Sequence, residues 1–520
     1  MSHAEPPGDA APRPARGAAS PVSSLLRRDS KGNLAEARGR LVLTVDDRDA
    51  VLVELRLDGG RDASAALAQF TQLFDTAFSD PTRRPPPPNP VANHYVRCML
   101  DAEEIDTLVE ADNQASSGSA GTTPRTIYHV WPDFIIQAHL DRSVTTVKAD
   151  AATRTYACTG AGVVWAVIDS GIDQAHPHFA GGALTDASVA GLHHDFTPLL
   201  LSASAGAGPA PSSPLTDAFG HGTHVAGIIA GAAPAAGSPT LRIAANNPTA
   251  QGLPCWERRA LDVGGVLAGV APQARLVSLK VLSDSGQTLS SAVIEAIDFV
   301  RRTNADGRSL RIHGVNLSLG CDWMPTEFAA GQSPLCHELD LLVGTGVVAV
   351  VSAGNSGAGG TTTGVSSDVY GRLSTISDPG NSASAITVGS THRYRPHTYG
   401  VTFDSSKGPT LDGRSKPDLV APGERITSAA TGQMRLGVGP LTQGPADPPD
   451  LACYVEDSGT SMAAAHVSGV VAAFLSARTE FIGRPEDVKQ LFVATATSLG
   501  RHEFFQGAGL IDLMRAMSSV

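Results

Sequence analysis

Residues 163–169 read Val163-Val164-Trp165-Ala166-Val167-Ile168-Asp169, six apolar side chains in succession closed by a carboxylate. A half-exposed strand alternates apolar and polar residues. An unbroken run therefore predicts a strand buried on both faces, as in a parallel sheet. Comparable runs recur at residues 275–282, 314–319, 347–351 and 385–388. Helical spacing alternates with them over residues 221–232, 289–302, 337–344, 461–476 and 485–496. This alternation predicts an α/β fold, a parallel sheet with helices on both faces. In such sheets functional side chains gather at strand C-termini and helix N-termini. Asp169 sits at one such end, where a carboxylate needs a hydrogen-bonding partner.

Upstream the pattern changes. Residues 1–38 are rich in Ala, Pro, Ser and Arg, carry no periodicity and read as a disordered arm. Residues 39–137 read as a small α+β unit, with strands at 41–45, 50–55, 95–99 and 127–131 and helices at 64–78 and 102–110. A Pro-rich linker at 83–88 and a loop at 113–124 interrupt it. Residues 138–520 form the large α/β unit.

Composition bounds the class of function. The 520 residues include 39 basic and 51 acidic side chains, a net charge of −12, which argues against nucleic acid as the main partner. The 42% hydrophobic content supports a large core. No run of 18 or more apolar residues occurs, so no membrane span is expected. No apolar segment follows a basic start, and the cytoplasm is the expected location. Cys98, Cys158, Cys255, Cys321, Cys336 and Cys453 show neither a C-x-x-C pair nor zinc spacing. A disulfide between Cys321 and Cys336 would close a loop; buried free thiols are the alternative that a cytoplasmic chain favours. His193-His194-Asp195 has metal-ligating side-chain types, but reads as loop residues beside a strand.

The chemistry lies in four short stretches. Asp169 ends the opening run, His221 starts a helix in His221-Gly222-Thr223-His224, and Ser461 starts another in Gly459-Thr460-Ser461-Met462. A serine hydroxyl becomes a nucleophile when an imidazole takes its proton, and a carboxylate must orient that imidazole. Asn355, in Ser352-Ala353-Gly354-Asn355-Ser356-Gly357, would donate to a developing oxyanion together with the Ser461 backbone N–H. Taken singly, each residue has a plain structural reading as a cap or turn residue. Together, in the order Asp, His, Ser with their flanking glycines, they form a nucleophilic constellation.

With these motifs the sequence resembles the subtilisin-like serine proteases over about residues 145–520. Matching stretches are 167–173, 220–231, 352–357 and 459–469, supported by Gly269-Val270-Ala271-Pro272, Ser405-Ser406-Lys407-Gly408-Pro409 and Lys416-Pro417-Asp418. The resemblance implies a serine endopeptidase acting on peptide or protein substrates through an acyl-enzyme. Ser461 would be its nucleophile, His221 its base and acid, Asp169 the orienting carboxylate and Asn355 the oxyanion donor. Ser285, Gly286 and Gln287 would line the substrate cleft opposite Ser318, Leu319 and Gly320, pairing an extended peptide by strand addition. Ser352, Ala353 and Gly354 would wall the first specificity pocket, with Ser377 and Asp378 near its floor. Asp378 would favour a basic residue before the cut, or serve as a loop carboxylate without such a role.

No cofactor is required. A calcium-ligating carboxylate of many relatives corresponds here to His178, and the insertion 232–264 replaces the loop that completes the site. That structural calcium site is expected to be altered. Ala465 stands where the family usually has proline. Further insertions at 202–214, 322–334, 357–372 and 433–457 read as loops. The N-terminal unit resembles the family's prodomain, which implies a precursor inhibited by its own N-terminal region and cut by itself between about residues 137 and 147. A permanent interaction domain is the alternative for that unit. For the whole chain the alternatives are a silent scaffold, or an esterase or transferase with the same acyl-enzyme chemistry.

Overall fold

The computed structural model describes residues 21–23, 26–27, 44–57, 62–81, 83–92, 95–117, 125–132, 143–198, 213–233, 242–246, 256–260, 267–321, 329–363, 366–438 and 453–520. The chain divides into two compact units, Met1–Ile136 and Gln137–Val520.

The first unit is built on an antiparallel sheet. Arg48–Leu55 pairs with Thr44–Val45, Tyr95–Leu100 and Ile127–Pro132, and Asn89–Ala92 adds to Tyr95–Leu100. Val51, Val53, Val96 and Leu100 form a core with Phe70 and Phe74 of the helix Ala63–Ala77 and Ile105 and Leu108 of the helix Ala102–Ser117. Asp101 starts the second helix as a capping box: its carboxylate accepts from Glu103 N and Glu104 N at 2.8 Å, while Glu104 accepts from Asp101 N at 2.9 Å. This helix continues to Ser117, past the loop expected from residue 113. Asp112 explains the extension, since its carboxylate accepts from Thr126 N and Ile127 N and ties that turn to the sheet.

The disordered-arm reading needs correction at residues 21–27. Val22 and Leu26 are buried in the first unit's core, and Pro21 O and Ser23 N flank Val130 as hydrogen-bonding partners. Two apolar side chains and two backbone groups outweigh the average composition of the segment. The rest of that arm and the loop 118–124 lie outside the described residues.

In the second unit seven strands form one parallel sheet. Their order is Leu419–Glu424, Ile386–His392, Val348–Ser352, Gly314–Leu317, Val164–Asp169, Arg275–Lys280 and His194–Asp195. The opening run conceals the strand's period of two. Trp165 and Val167 pack with the helices His221–Ile229 and Thr460–Ala477, whereas Ala166 and Ile168 pack with Ser290–Thr303 and Pro334–Gly344. The Thr460–Ala477 helix has the length and apolarity of a membrane span, but its side chains are almost all buried in this core. Ala465 lets it run unbroken, since a proline there would remove a helix-interior N–H.

Two loop expectations, 357–372 and 433–457, give way to strands, and so does the insertion 232–264. Within 357–372, Ala358–Thr363 pairs antiparallel with Ser366–Gly371. The insertions 232–264 and 433–457 contribute Arg242–Asn246, Trp256–Ala260 and Cys453–Asp457, which join Ile426–Ala429 in a four-stranded sheet. Partners distant in sequence supply pairing that a local reading of Gly, Pro and Ser content does not see. Residues 202–212 and 322–328 of the remaining insertions lie outside the described residues.

Candidate active site

Asp169 is wholly buried at the C-terminal end of its strand, and its two oxygens lie 2.8 and 3.0 Å from His221 Nδ1. Ser170 N donates to Asp169 Oδ1 at 2.8 Å, and Ser170 Oγ accepts from Gly222 N at 2.8 Å, so one residue braces both the carboxylate and the histidine helix. That helix is capped from outside by Asp217, whose carboxylate accepts from Gly220 N, Thr223 N and Thr223 Oγ1 at 2.7, 2.8 and 2.7 Å. Burial alone would lower the His221 pKa; the Asp169 charge and hydrogen bond, with the charges of Asp457 and Asp217, outweigh it and raise it to about 9.

Ser461 occupies the first turn of its helix, where backbone N–H groups have no helical acceptor. Its Oγ donates to Ser318 O at 3.1 Å, and Ser318 Oγ donates to Ser461 O at 2.9 Å. Asn355 is fixed by its oxygen: Oδ1 accepts from Thr460 N and Thr460 Oγ1, both at 3.0 Å, which turns the amide NH₂ the other way. Thr460 Oγ1 also accepts from Gly354 N at 3.1 Å.

His221 and Ser318 line one cleft of about 460 Å³, together with Leu319, Gly320 and Gly286. Its apolar walls come from Phe219, Leu282, Leu289, Val293 and Leu335. Of the predicted segment 285–287, Gly286 alone reaches this cleft, because Ser283–Gln287 closes on itself as a turn through Ser283 N to Gln287 O at 2.9 Å. Ser285 and Gln287, expected to pair an extended peptide, belong to this turn. On the other side, a Cβ on Gly320 or Gly354 would come within 2.7 or 2.6 Å of Ser377 Oγ, so the Ser377 hydroxyl lies between them. Ser352 and Ala353 are buried at the strand end leading to Gly354.

Asp378 points elsewhere. It is 1% exposed, its Oδ1 accepts from Asn381 Nδ2 at 2.8 Å, and its carboxylate adds to the burial that pushes the Cys336 thiol up to about 12. Of the two readings of Asp378, a charge favouring a basic residue or a loop carboxylate without that role, this bonding accords with the second, and the polar group facing the two glycines is Ser377. Cys336 is a buried free thiol, so the Cys321–Cys336 bridge is not formed; Cys98 and Cys158 are buried free thiols too.

A family model described as the Subtilase family matches residues 160–509. The chain belongs to the subtilase family. Subtilisin E of Bacillus subtilis (strain 168) is 30% identical over 373 residues, covering 72% of this chain and 70% of the relative. Serine protease AprX of the same organism is 26% identical over 407 residues, covering 76% and 77%. A solved structure, that of a cold adapted subtilisin-like serine proteinase, aligns at 24% identity with a TM-score of 0.40, covering 68% of this chain and 88% of that one. This subtilase is a serine protease of the subtilisin type with an α/β fold.

Sequence reasoning missed the supports of the subtilase site. Ser170 and Thr460 each adjoin a singled-out residue and carry hydroxyls, which was signal enough to find them. Asp217 lies four residues before His221, outside the usual N-cap position, and had no signal in the sequence. The apolar wall left no such signal, since Leu282, Leu289, Val293 and Leu335 are spaced like ordinary core positions.

His178 is buried, with Nδ1 3.2 Å from the Tyr454 hydroxyl and Nε2 3.1 Å from Gly227 O. Burial, with His176 pushing the same way, lowers its pKa to about 3. His193 is held by Leu184 O and Ser278 N, and Asp195 accepts from Thr197. Among the described residues no three His, Cys, Asp or Glu side chains converge as a metal site would require.

Proposed function

We propose that this subtilase is an endopeptidase whose triad is Asp169, His221 and Ser461. The observation that carries this reading is a buried carboxylate presenting both oxygens to His221 Nδ1, with His221 and Ser318 lining one cleft and Ser461 Oγ bonded to Ser318 O. Ser461 Oγ leaves Ser318 O, attacks the peptide carbonyl carbon and passes its proton to His221 Nε2. Asn355 Nδ2 and Ser461 N donate to the resulting oxyanion. His221 then protonates the departing amine, and water repeats the sequence on the acyl-enzyme. A fluorophosphonate probe should label the wild-type chain and leave Ser461→Ala unlabelled; absence of labelling after removal of the N-terminal unit would instead support a silent scaffold.

The substrate side chain before the cut would enter between Gly320 and Gly354 toward the neutral Ser377 hydroxyl. Successive side chains of an extended peptide alternate in direction, so its neighbours would turn toward the apolar wall. We also infer that the calcium site of relatives is not rebuilt at His178. Both ring nitrogens are engaged and calcium takes oxygen ligands, so the side chain does not fit the ion. A chelator should leave the melting temperature unchanged.

The N-terminal unit is proposed as a prodomain that inhibits the enzyme until cut away. Within the predicted junction, residues 137–142 lie outside the described residues. Ser143, Val144 and Val147 are buried in the second unit, and Ser143 Oγ bonds His466 Nε2 at 2.8 Å, which favours a cut before Ser143. Intact mass spectrometry of wild type against Ser461→Ala tests this; an uncut wild-type chain with full activity would sink it.

A further inference from the structure

We infer that Lys280 is a positioning residue that locks the carboxylate end of the triad to the cleft turn 283–287. It rests on the triad proposed above. Lys280 ends the strand beside Asp169 and pairs with it in register, while Val281 N and Leu282 N both donate to Asp169 O, at 2.8 and 3.2 Å. Its side chain is 1% exposed and carries its ammonium past Asp169 to Ser170 O at 2.7 Å. The same nitrogen lies 3.2 Å from Oδ1 of Asp284, the second residue of the turn bearing Gly286.

The consequence follows from desolvation. A buried ammonium must keep its hydrogen bonds, so Ser170 O cannot swing away without leaving a charge short of partners. Ser170 is the residue whose N–H holds Asp169 and whose hydroxyl holds the His221 helix. Its backbone position therefore sets the Asp169–His221 geometry. Asp284 is in turn held from the outer side by Gln433 Nε2, at 2.8 Å to its carbonyl. One cation thus fixes the distance between the acid–base pair and the turn that receives substrate. Sub-ångström losses of such alignment are costly, at about 10²-fold in rate for a displacement of 1 Å.

Lys280→Met keeps the bulk and removes the tether. Ser170 O loses its donor in this variant, which lowers stability, while the exposed Asp284 carboxylate stays hydrated. The expected result, per active site counted by burst titration, is a fall in kcat of about 10- to 100-fold on short and long peptide substrates alike. KM should rise only for the long peptide that reaches Gly286. A variant with fewer titratable sites but unchanged kcat and KM per site would show a merely structural lysine and overturn the proposal. Asp284→Asn, at a 62% exposed side chain, serves where Lys280→Met fails to fold. It should raise KM for the long peptide about fivefold through loss of one charged contact, and an unchanged KM would likewise overturn the proposal. Failure of the triad reading would look different, as a wild-type enzyme that the fluorophosphonate does not label.

Discussion

His221 is pulled in two directions, and the outcome sets its working range. Desolvation favours the neutral ring; the Asp169, Asp457 and Asp217 charges favour the cation and win, raising the pKa to about 9. A base must be neutral to accept the Ser461 proton, so kcat/KM should climb with pH to a midpoint near that value, and Asp457→Asn should move the midpoint down. The stability contribution has the opposite sense. A histidine pKa raised by folding stabilises fully below its unfolded value and loses that stabilisation as pH rises through about 9. Activity and this stability term therefore trade against each other in one alkaline window, measurable by pairing rate profiles with denaturant titrations. At Asn355, replacement by alanine should lower kcat about 10²- to 10³-fold with little change in KM, the scale known for the corresponding donor in subtilisin. Thr460→Val should reproduce about a tenth-fold kcat, since it frees Asn355 Oδ1 from one of its two anchors.

The helix Gly432–Leu436 and the residue before it tie Asp173, Ala218 and Phe219 to Asp284 of the cleft turn. Thr431 Oγ1 donates to Asp173 at 2.8 Å, Gln433 N and Met434 N donate to Ala218 O and Phe219 O, and Gln433 Nε2 donates to Asp284 O. Glycine is required where it lands: a Cβ on Gly220 would meet Thr431 O at 2.4 Å, at a φ of +101°. Gln433→Ala should raise KM for long peptides severalfold and leave kcat nearly intact, because it releases a rim contact and no reacting group. This bridge was not legible in the sequence, where residues from 433 onward read as an insertion loop. The residues proposed as catalytic stood out in the sequence for a physical reason. Asp169, Asn355 and Ser461 each sit at the end or start of a buried element, flanked by small residues that let backbones approach.

Across the whole molecule, the central sheet could be read from apolar runs because both its faces are covered. The supporting charges could not. Lys416 is buried with Asp418 at 2.7 Å, and Lys489 reaches the other Asp418 oxygen at 3.3 Å. Burial lowers Lys416 to about 8 against the pull of Asp418. Asp418→Asn would leave two lysines facing each other without a counter-charge and should cost about 3–5 kcal/mol in urea unfolding. The second sheet carries a different lesson. Arg242–Asn246 lies between Cys453–Asp457 and Trp256–Ala260, so strands from two insertions about 200 residues apart share one ladder. Without the other, each insertion would expose a strand edge that is now paired. A graft of one into a plainer relative would present an unpaired edge and invite aggregation. The two are a single transplantable part, and a lineage or an engineer gains them together or not at all.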